Sequence, residues 1–245
     1  VPSMFGDYAD YGSQIGLDDI LASIKNAADD PKIKGIYLNA ATAAASPATV
    51  KEIHDALLKF KKSGKFIIAY CDFYAQNGYY LASTADKIVL NPAGSIDFKG
   101  YAFQIMFYKG LIDKLNVDVQ IVRHGQFKSA VEPYCLDKMS ESNREQMTVL
   151  VNSLWGCMVN DISKSRNIPV EKLNAVADRL QASMPQEALK LKMVDKLGYY
   201  GDVEQMIKQK IGLDKLEEAI LLSFREGILS FICLFSSFFL VNPIL

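Results

Sequence analysis

The stretch that decides the fold is residues 64–97, which read GKFIIAYCDFYAQNGYYLASTADKIVLNPAGSID. The segment KFIIAYC is continuously apolar after its lysine, which is typical of a strand in a sheet that is covered on both faces. The next segment, AQNGYYLAS, predicts a short helix, and KIVLNPAGSI predicts a strand that ends in a Pro/Gly turn. This order predicts one strand–helix–strand unit of a parallel sheet.

The preceding sequence repeats this alternation. Residues 17–30, LDDILASIKNAADD, place apolar side chains on one helical stripe, and Ile33 to Leu38 predicts a strand. Ser46 followed by Pro47 is typical of a helix N-cap and first turn, and the helix is expected to continue to about Ser63.

The sequence after residue 97 continues the pattern. Helical spacing of apolar residues predicts a helix over residues 103–115, and VDVQIVR predicts a strand over residues 117–123. A long amphipathic helix is predicted from Ser142, where Ser142 and Glu145 form an expected capping box. Two further helices are predicted around the Gly-Tyr-Tyr-Gly turn at residues 198–201.

Together these elements predict an α/β fold with a largely parallel sheet and a helical C-terminal part. The strand–helix units are small, which suits a spiral of repeated units as well as an open sheet. The sequence contains no GxGxxG or GxxxxGK[ST] motif, so folds that cradle nucleotide phosphates lose support.

The composition is that of an ordinary globular protein. Half of the 245 residues are apolar and the formal net charge is −1, which gives no indication of nucleic-acid binding. The four cysteines are scattered without a CxxC pair and are interpreted as buried thiols, not as a disulfide framework. Neither histidine, His54 or His124, has the spacing of a metal ligand pair, so no metal site is expected.

Both ends of the sequence differ from those expected of an intact globular protein. The sequence starts at Val1 without methionine, and we interpret it as a fragment that lacks its N-terminal part. Residues 227–245 carry no charge and are long enough to span a bilayer. The alternative is that this tail results from a truncated or frame-shifted gene.

The candidate groups for catalysis are few. The sequence has no GxSxG motif, His54 is expected at the surface or its boundary, and His124 is expected in a structural or solvated role. Lys128 lies in RHGQFKSAVEPY, residues 123–134. A lysine acts as a general base only if its amine is desolvated and neutral, and the local sequence alone favours a solvated side chain.

Four segments taken together change that interpretation. They are LDDILASIKNAADDPKIKGIYL, the opening stretch, YKGLIDKLNVDVQIVRHGQFKSAVEPY, and EALKLKMVDKLGYYGDV. In this order they resemble the signal peptide peptidase A family, also called protease IV, over about residues 17–212. The resemblance implies a membrane-anchored serine peptidase with a Clp-protease/crotonase-like fold. FKSAVEP is the most specific of the shared motifs.

In the long form of that family, the resemblance implies that an N-terminal half donates a lysine base and a C-terminal half donates the serine. Lys128 matches the lysine position, so a Ser/Lys dyad is expected in which Lys128 is the general base. Ser129 either orients the amine or caps a turn. Glu132 and Pro133 are expected to fix the chain path after the site.

The departure from the family pattern is equally specific. Where catalytic halves have Ser-Gly-Gly-Tyr, this chain has Gln76-Asn77-Gly78-Tyr79, and a glutamine is not an acyl-transfer nucleophile. Residues 1–212 are therefore expected to form a lysine-bearing half-domain that is inactive alone. Residues 213–245 are expected to be a hydrophobic tail outside the matched region.

The resemblance also implies the setting of the protein. Substrates would be cleaved signal peptides or other apolar peptides, with no cofactor and no nucleic acid. An N-terminal anchor ahead of Val1 would hold the protein at the outward, periplasmic face of the bacterial cell membrane, and the intact protein would be a homo-oligomer, expected to be a tetramer.

Two alternative functions stay open. A crotonase-type acyl-CoA hydratase or isomerase would need a glycine-rich oxyanion loop, whereas LNAATAAASPATV, residues 38–50, is rich in alanine. The other alternative is a non-catalytic assembly domain of the same family, in which Gln76 marks lost activity.

Overall fold

The chain is an α/β protein, here as a computed structural model that describes residues 16–125 and 127–212 together with the backbone of residues 221–223 and 230–235. The helices are α1 (Leu17–Asp29), α2 (Pro47–Lys61), α3 (Gln76–Ala82), α4 (Lys109–Lys114), α5 (Glu132–Cys135), α6 (Glu141–Arg166), α7 (Val170–Asp178), α8 (Pro185–Lys190) and α9 (Tyr200–Ile211). The strands are β1 (Ile33–Asn39), β2 (Phe66–Ala75), β3 (Lys87–Asp97), β4 (Lys196–Leu197), β5 (Leu221–Ser223) and β6 (Ser230–Phe235). Short 3-10 helices cover Ser129–Val131 and Gln181–Ser183.

The described strands form one sheet in the order β4-β3-β2-β1-β6-β5. Strands β1 to β4 are parallel, with Ile36 opposite Ile67 and Ala69 opposite Ile88. Strand β6 runs antiparallel to β1, and β5 antiparallel to β6. The predicted α/β fold with a largely parallel sheet is therefore confirmed.

The three central strands are buried because helices cover them. Ile36, Ile67 and Ile88 are each 0% exposed. The strands therefore carry apolar residues continuously instead of alternating them with polar ones. Helix α9 contributes Val203 and Ile207 to a cluster with side chains of β1, β2 and β3.

The start of α2 follows the local sequence signal. The Ser46 hydroxyl accepts a hydrogen bond from the Thr49 N–H at 3.2 Å, and Pro47 occupies the first turn. A cap of this kind contributes about 1 kcal/mol to helix stability. After the helix, Gly64 adopts φ +81°, a left-handed conformation that glycine reaches without steric cost.

The described residues divide into two compact units. Unit 1 comprises the described parts of residues 1–99 and 160–245, and it contains the sheet. Unit 2 comprises residues 100–159, including α4, α5 and the first part of α6. The prediction that residues 1–212 form one half-domain stays a prediction.

Two elements predicted for unit 2 differ from those observed. The predicted helix over residues 103–115 is reduced to α4, and the strand predicted over residues 117–123 is wrong, because these residues form no strand in the described structure. Val117 is 54% exposed and Val122 is 99% exposed. A regular spacing of apolar residues stabilises a helix or strand only where another element packs on the apolar face or pairs with the strand.

The hydrophobic tail predicted at residues 213–245 lies mostly outside the described residues. Within it, only the backbones of β5 and β6 are described. The interpretation of Val1 as an internal start also falls on residues outside the description. Within the part of the chain that is described, no helix is both long enough and apolar enough to cross a bilayer.

Candidate functional site

Lys128 lies at the entrance to a short 3-10 turn in unit 2. The chain reverses at Gly125, which has φ +96°, and the Lys128 N–H contacts the Gly125 carbonyl oxygen at 3.4 Å. Ser129–Val131 then form the 3-10 helix, which leads directly into α5. The Lys128 side chain is exposed and Ser129 is half-buried.

A cavity of about 540 Å³ lies beside this turn. Its lining within unit 2 consists of Val122, Arg123, His124, Phe127, Lys128, Ser129, Ala130 and Val131. Phe127, Ala130 and Val131 supply apolar atoms to this lining. The Lys128 side chain is nevertheless exposed.

Glu132 is the buried charge of this region. Its carboxylate accepts hydrogen bonds from the Ser140 hydroxyl at 2.6 Å, the Ser140 N–H at 3.2 Å and the Asn143 amide at 2.9 Å. Arg123 Nη1 lies 3.8 Å from the same carboxylate. Lys128 is not among these partners, so Glu132 does not hold the Lys128 ammonium through a direct ion pair.

The hydrogen bonds keep Glu132 ionised in spite of its burial. Burial acts to raise the pKa of the Glu132 carboxyl, but the hydrogen bonds from Ser140 and Asn143 outweigh burial, and the pKa is lowered. The sequence places Glu132 in FKSAVEP but does not identify these partners, which lie 8 and 11 residues further along the chain.

The same contacts correct the predicted start of the long helix. Helix α6 begins at Glu141. The Ser140 hydroxyl accepts a hydrogen bond from the Asn143 N–H at 3.2 Å, so Ser140 is the N-cap. The predicted capping box of Ser142 and Glu145 is therefore wrong. The S-x-x-E pattern of Ser142 and Glu145 pointed to the wrong serine of the two in this segment.

Gln76 lies in unit 1, at the first position of α3, directly after β2 ends. The Gln76 Oε1 atom accepts a hydrogen bond from the Lys99 N–H at 3.1 Å. A nucleophile at this position would sit on a strand-to-helix turn, which is a common place for an activated side chain. The amide of Gln76 supplies no nucleophilic atom.

Gly78 has no side chain, which allows the loop after β1 to approach α3 closely. A Cβ atom at Gly78 would clash with the carbonyl oxygens of Ala40 and Ala41. The Ala75 N–H donates to the Ala41 carbonyl at 2.8 Å, and the Asn77 amide donates to the Ala43 carbonyl at 3.2 Å. The loop after β1 thus presents hydrogen-bond acceptors to α3.

His54 belongs to a polar cluster that the sequence analysis missed. His54 was expected near the surface, but it is 0% exposed and its ring stacks on Tyr80 with 4.3 Å between ring centroids. Its Nδ1 atom lies 3.4 Å from Asp55, and the Tyr80 hydroxyl donates to Asp161 at 2.7 Å. Lys51 contacts Asp55 at 2.6 Å and Asp161 at 3.4 Å.

The chemistry of this cluster is that of a partly exposed ion-pair network beside one buried histidine. His54, Asp55 and Asp161 each offer one atom that could bind a metal ion, and these atoms lie within 4.8 Å of one another. The sequence does not predict this grouping, because Asp161 is distant in the chain from the other two residues. The Lys51 ammonium forms ion pairs with both carboxylates and offsets one of their two negative charges. Burial lowers the pKa of His54, although Asp55 and Asp161 act to raise it.

The cysteines differ from one another in burial. Cys71 is buried in β2, its thiol donates to Asn39 at 3.3 Å, and burial raises the pKa of that thiol to about 12. This thiol is therefore protonated at neutral pH and is a poor nucleophile. Cys135 is half-buried and Cys157 is exposed, so the expectation of buried thiols holds for Cys71 and is wrong for Cys157.

Comparison with protein families identifies one match over most of the chain. A model of peptidase family S49 matches residues 59–214, a segment that includes Gln76, Lys128 and Glu132.

Three named relatives agree with this match. Protease 4 of Salmonella typhi is 36% identical over 222 residues, which are 87% of this chain and 36% of that protein. Protease 4 of Haemophilus influenzae is 40% identical over 162 residues, or 65% of this chain and 26% of that protein. The chloroplastic serine protease SPPA of Arabidopsis thaliana is 27% identical over 208 residues, or 84% of this chain and 30% of that protein. The chain thus covers between 26% and 36% of the length of these relatives.

Proposed function

Because this chain belongs to peptidase family S49, we propose that it is the lysine-bearing half of a serine endopeptidase, with Lys128 as the general base and a serine from a second half as the nucleophile. The observation that carries the proposal is the exposed side chain of Lys128, which directly precedes the 3-10 helix that leads to the buried Glu132. An exposed side chain is accessible to a nucleophile from another surface.

The proposed reaction follows Ser/Lys chemistry. A neutral Lys128 amine takes the proton of the serine hydroxyl while the serine oxygen attacks the scissile carbonyl carbon. Backbone N–H groups stabilise the oxyanion of the tetrahedral intermediate. The resulting ammonium returns the proton to the leaving nitrogen, and water then hydrolyses the acyl-enzyme.

The exposure of Lys128 has a consequence for this mechanism. A lysine is neutral near pH 7 only where burial disfavours the ammonium form. Within this chain the Lys128 side chain is exposed. We therefore propose that the serine-bearing half covers Lys128 and excludes water from it. Assembly of the two halves would then both favour the neutral amine and supply the serine nucleophile.

Gln76 supports the proposal that one half supplies the base and the other half the nucleophile. It occupies the position where the family motif places a serine, and its side-chain oxygen is bonded to the Lys99 N–H. An amide in this position cannot form an acyl-enzyme. Ser129, next to the base and half-buried, is proposed to orient the amine.

The wider setting is proposed from the family resemblance. Substrates are cleaved signal peptides or other extended apolar segments, bound at the outward face of the bacterial membrane by an oligomeric enzyme. The alternative of an acyl-CoA hydratase or isomerase loses its support, because the family that matches is a peptidase family.

The test is reconstitution with a serine-bearing half. This chain is co-expressed with the C-terminal half of a two-half relative, and cleavage of an apolar fluorogenic peptide is measured. Lys128→Ala is expected to lower kcat by about 100-fold or more, the usual contribution of general base catalysis. Lys138→Ala, a change at an exposed lysine in the same unit, serves as the matched control. Unchanged activity of Lys128→Ala would rule out the base assignment.

A non-catalytic assembly domain is the second candidate, and one observation favours it. Unit 2 exposes large apolar side chains, among them Phe103 at 54%, Met106 at 64% and Leu115 at 64%. Such surfaces commonly contact other proteins. Under this alternative the reconstituted complex forms, but its activity does not depend on Lys128.

A further inference from the structure

An ion pair joins the two ends of the loop that carries Lys128. Arg123 precedes the loop and Glu132 follows it, and Arg123 Nη1 lies 3.8 Å from the Glu132 carboxylate. Between them the chain turns at Gly125 and enters the 3-10 helix of Ser129–Val131. The position of Lys128 therefore depends on how firmly the two ends of this loop are held.

Glu132 ties the C-terminal end of the loop to helix α6. It is 0% exposed and accepts three hydrogen bonds, two of them from Ser140 and one from Asn143. Ser140 is the N-cap of α6, so one hydroxyl both caps the helix and binds the carboxylate. The partial positive charge of a helix N-terminus also favours a carboxylate there.

A second set of contacts holds the neighbouring residues. The Tyr108 N–H at the start of α4 donates to the Pro133 carbonyl at 2.7 Å, and the rings of Tyr108 and Tyr134 stack with 6.0 Å between centroids. Helix α5 is thus bonded to α4 on one side and to α6 on the other, and all these residues lie in unit 2.

We propose that Glu132 is a positioning residue, which holds the turn that carries Lys128 in one conformation by anchoring α5 to the N-terminus of α6. This inference rests on the proposed function, since it assigns Glu132 a role that acts through Lys128. Glu132 does not exchange protons with the substrate. It is fully occupied by Ser140, Asn143 and Arg123.

The chemistry explains why a carboxylate is needed at this position. Three N–H or O–H donors converge on two oxygen atoms that both accept. A glutamine side chain offers one oxygen and one NH2 group. With its oxygen towards the Ser140 N–H and the Asn143 amide, its NH2 group would donate to the Ser140 hydroxyl and face the Arg123 guanidinium. An alanine would leave the buried donors of Ser140 and Asn143 without this acceptor.

The experiment combines kinetics with hydrogen exchange. In the reconstituted enzyme, Glu132→Ala is expected to lower kcat by about 100-fold, the loss that a displacement of about 1 Å can cause. The change in KM is expected to stay below about threefold, because substrate contacts are retained. Glu132→Gln is expected to be intermediate. Glu141→Gln, an exposed carboxylate in the first turn of α6, is the matched control and should equal the unchanged protein.

Hydrogen exchange of this chain by itself supplies a readout that is independent of activity. Amides of residues 127–135 are expected to exchange faster in Glu132→Ala than in the unchanged protein, while amides of β1 to β3 keep their protection. If Glu132→Ala fails to fold, Ser140→Ala and Ser140→Thr replace it. The alanine removes the 2.6 Å hydrogen bond to Glu132 and the threonine restores a hydroxyl. Faster exchange in Ser140→Ala, with recovery in Ser140→Thr, supports the anchor.

The outcomes separate the inference from the proposed function. If Lys128→Ala abolishes activity but Glu132→Ala equals the unchanged enzyme in kcat and in exchange, the positioning role is wrong and the base assignment survives. If Lys128→Ala keeps full activity, the proposed function fails. Faster exchange at residues 127–135 in Glu132→Ala would then still support the anchor, and unchanged exchange would overturn it.

Discussion

The side-chain oxygen of Gln76 accepts a hydrogen bond from the backbone N–H of Lys99 at 3.1 Å, which joins the start of α3 to the residues after β3. The position where related catalytic halves are expected to carry a serine is therefore occupied here by a structural contact. The Gln76 side chain thus joins two segments of unit 1, and the expected place of a serine in related catalytic halves stays a prediction.

Replacing Gln76 by serine is expected to lower the free energy of unfolding by about 1 kcal/mol, because the shorter side chain loses the bond to Lys99. The change is measured by urea denaturation of this chain. Gln104→Ser, at an exposed position, is the matched control and should stay within about 0.5 kcal/mol of the unchanged protein. An equal effect of the two substitutions would contradict a structural role for Gln76.

Gly78→Ala is expected to destabilise the protein by about 1–3 kcal/mol, the range found for overpacked sites. The new methyl group would meet the carbonyl oxygens of Ala40 and Ala41, which are backbone atoms that cannot rotate away. Gly156→Ala in α6 is the opposite case. A Cβ atom there meets nothing within 4 Å, and the loss of helix-interior glycine is expected to stabilise by about 0.5–1 kcal/mol. Thermal denaturation of both variants tests the contrast, and a destabilised Gly156→Ala would disagree with it.

The stability of the chain is expected to decrease as the pH falls below about 6.5, the unperturbed pKa of histidine, because of His54. Burial lowers the pKa of His54 in the folded state. The unfolded state consequently binds more protons in the window just below the unfolded pKa, and its population rises with acid. Lys51, Asp55 and Asp161 are the charged groups around this ring.

Urea denaturation between pH 7.5 and 5.5 measures this dependence. His54→Phe is expected to flatten it, since phenylalanine keeps the stack on Tyr80 without a titrating nitrogen. His124→Gln, a change at the exposed second histidine, should leave the dependence as it is. If both variants follow the same pH curve, burial of His54 is not its source.

Tyr79→Phe is expected to cost about 1–3 kcal/mol of unfolding free energy, because the Tyr79 hydroxyl donates to the Met193 carbonyl at 2.9 Å in a buried place. This bond connects α3 to the segment before β4, which lies 114 residues away in the chain. Tyr134→Phe removes the hydroxyl of a 48% exposed ring and is expected to be nearly neutral. Chemical denaturation compares the two, and a neutral Tyr79→Phe would show that the bond contributes little.

A thiol reagent at neutral pH is expected to modify Cys157 much faster than Cys71. Cys157 is exposed, whereas Cys71 is buried and burial raises its pKa to about 12, so almost no thiolate is present. Peptide mapping after brief treatment with iodoacetamide measures the two rates. Equal rates would mean that β2 opens readily.

The parts of the fold that the sequence predicted are those with a local cause. The strands β1, β2 and β3 follow from continuous apolar runs, and α2 follows from Ser46 and Pro47. The strand predicted at residues 117–123 had an equally suitable pattern and did not form. The difference is that β2 has β1 and β3 beside it, whereas Val122 is 99% exposed.

For the candidate site, the assignment of Lys128 as the general base stays a prediction. Motif order pointed to Lys128 and to the absence of a serine at Gln76, and the structure adds that Lys128 is exposed within this chain. The partners of Glu132 were not predicted, because no short-range spacing rule connects a carboxylate to Ser140 and Asn143. Their identification required the turn between α5 and α6.

The sequence by itself determined the α/β class, the largely parallel sheet and the residues available for chemistry, since periodicity, caps and motifs act over a few residues. Only the tertiary structure decided that His54 is buried and that Glu132 is held by Ser140 and Asn143. The physical reason is that burial and hydrogen-bond partners are set by segments distant in the chain. Tyr80 and Asp161, which lie 81 residues apart and share one hydrogen bond, are an example.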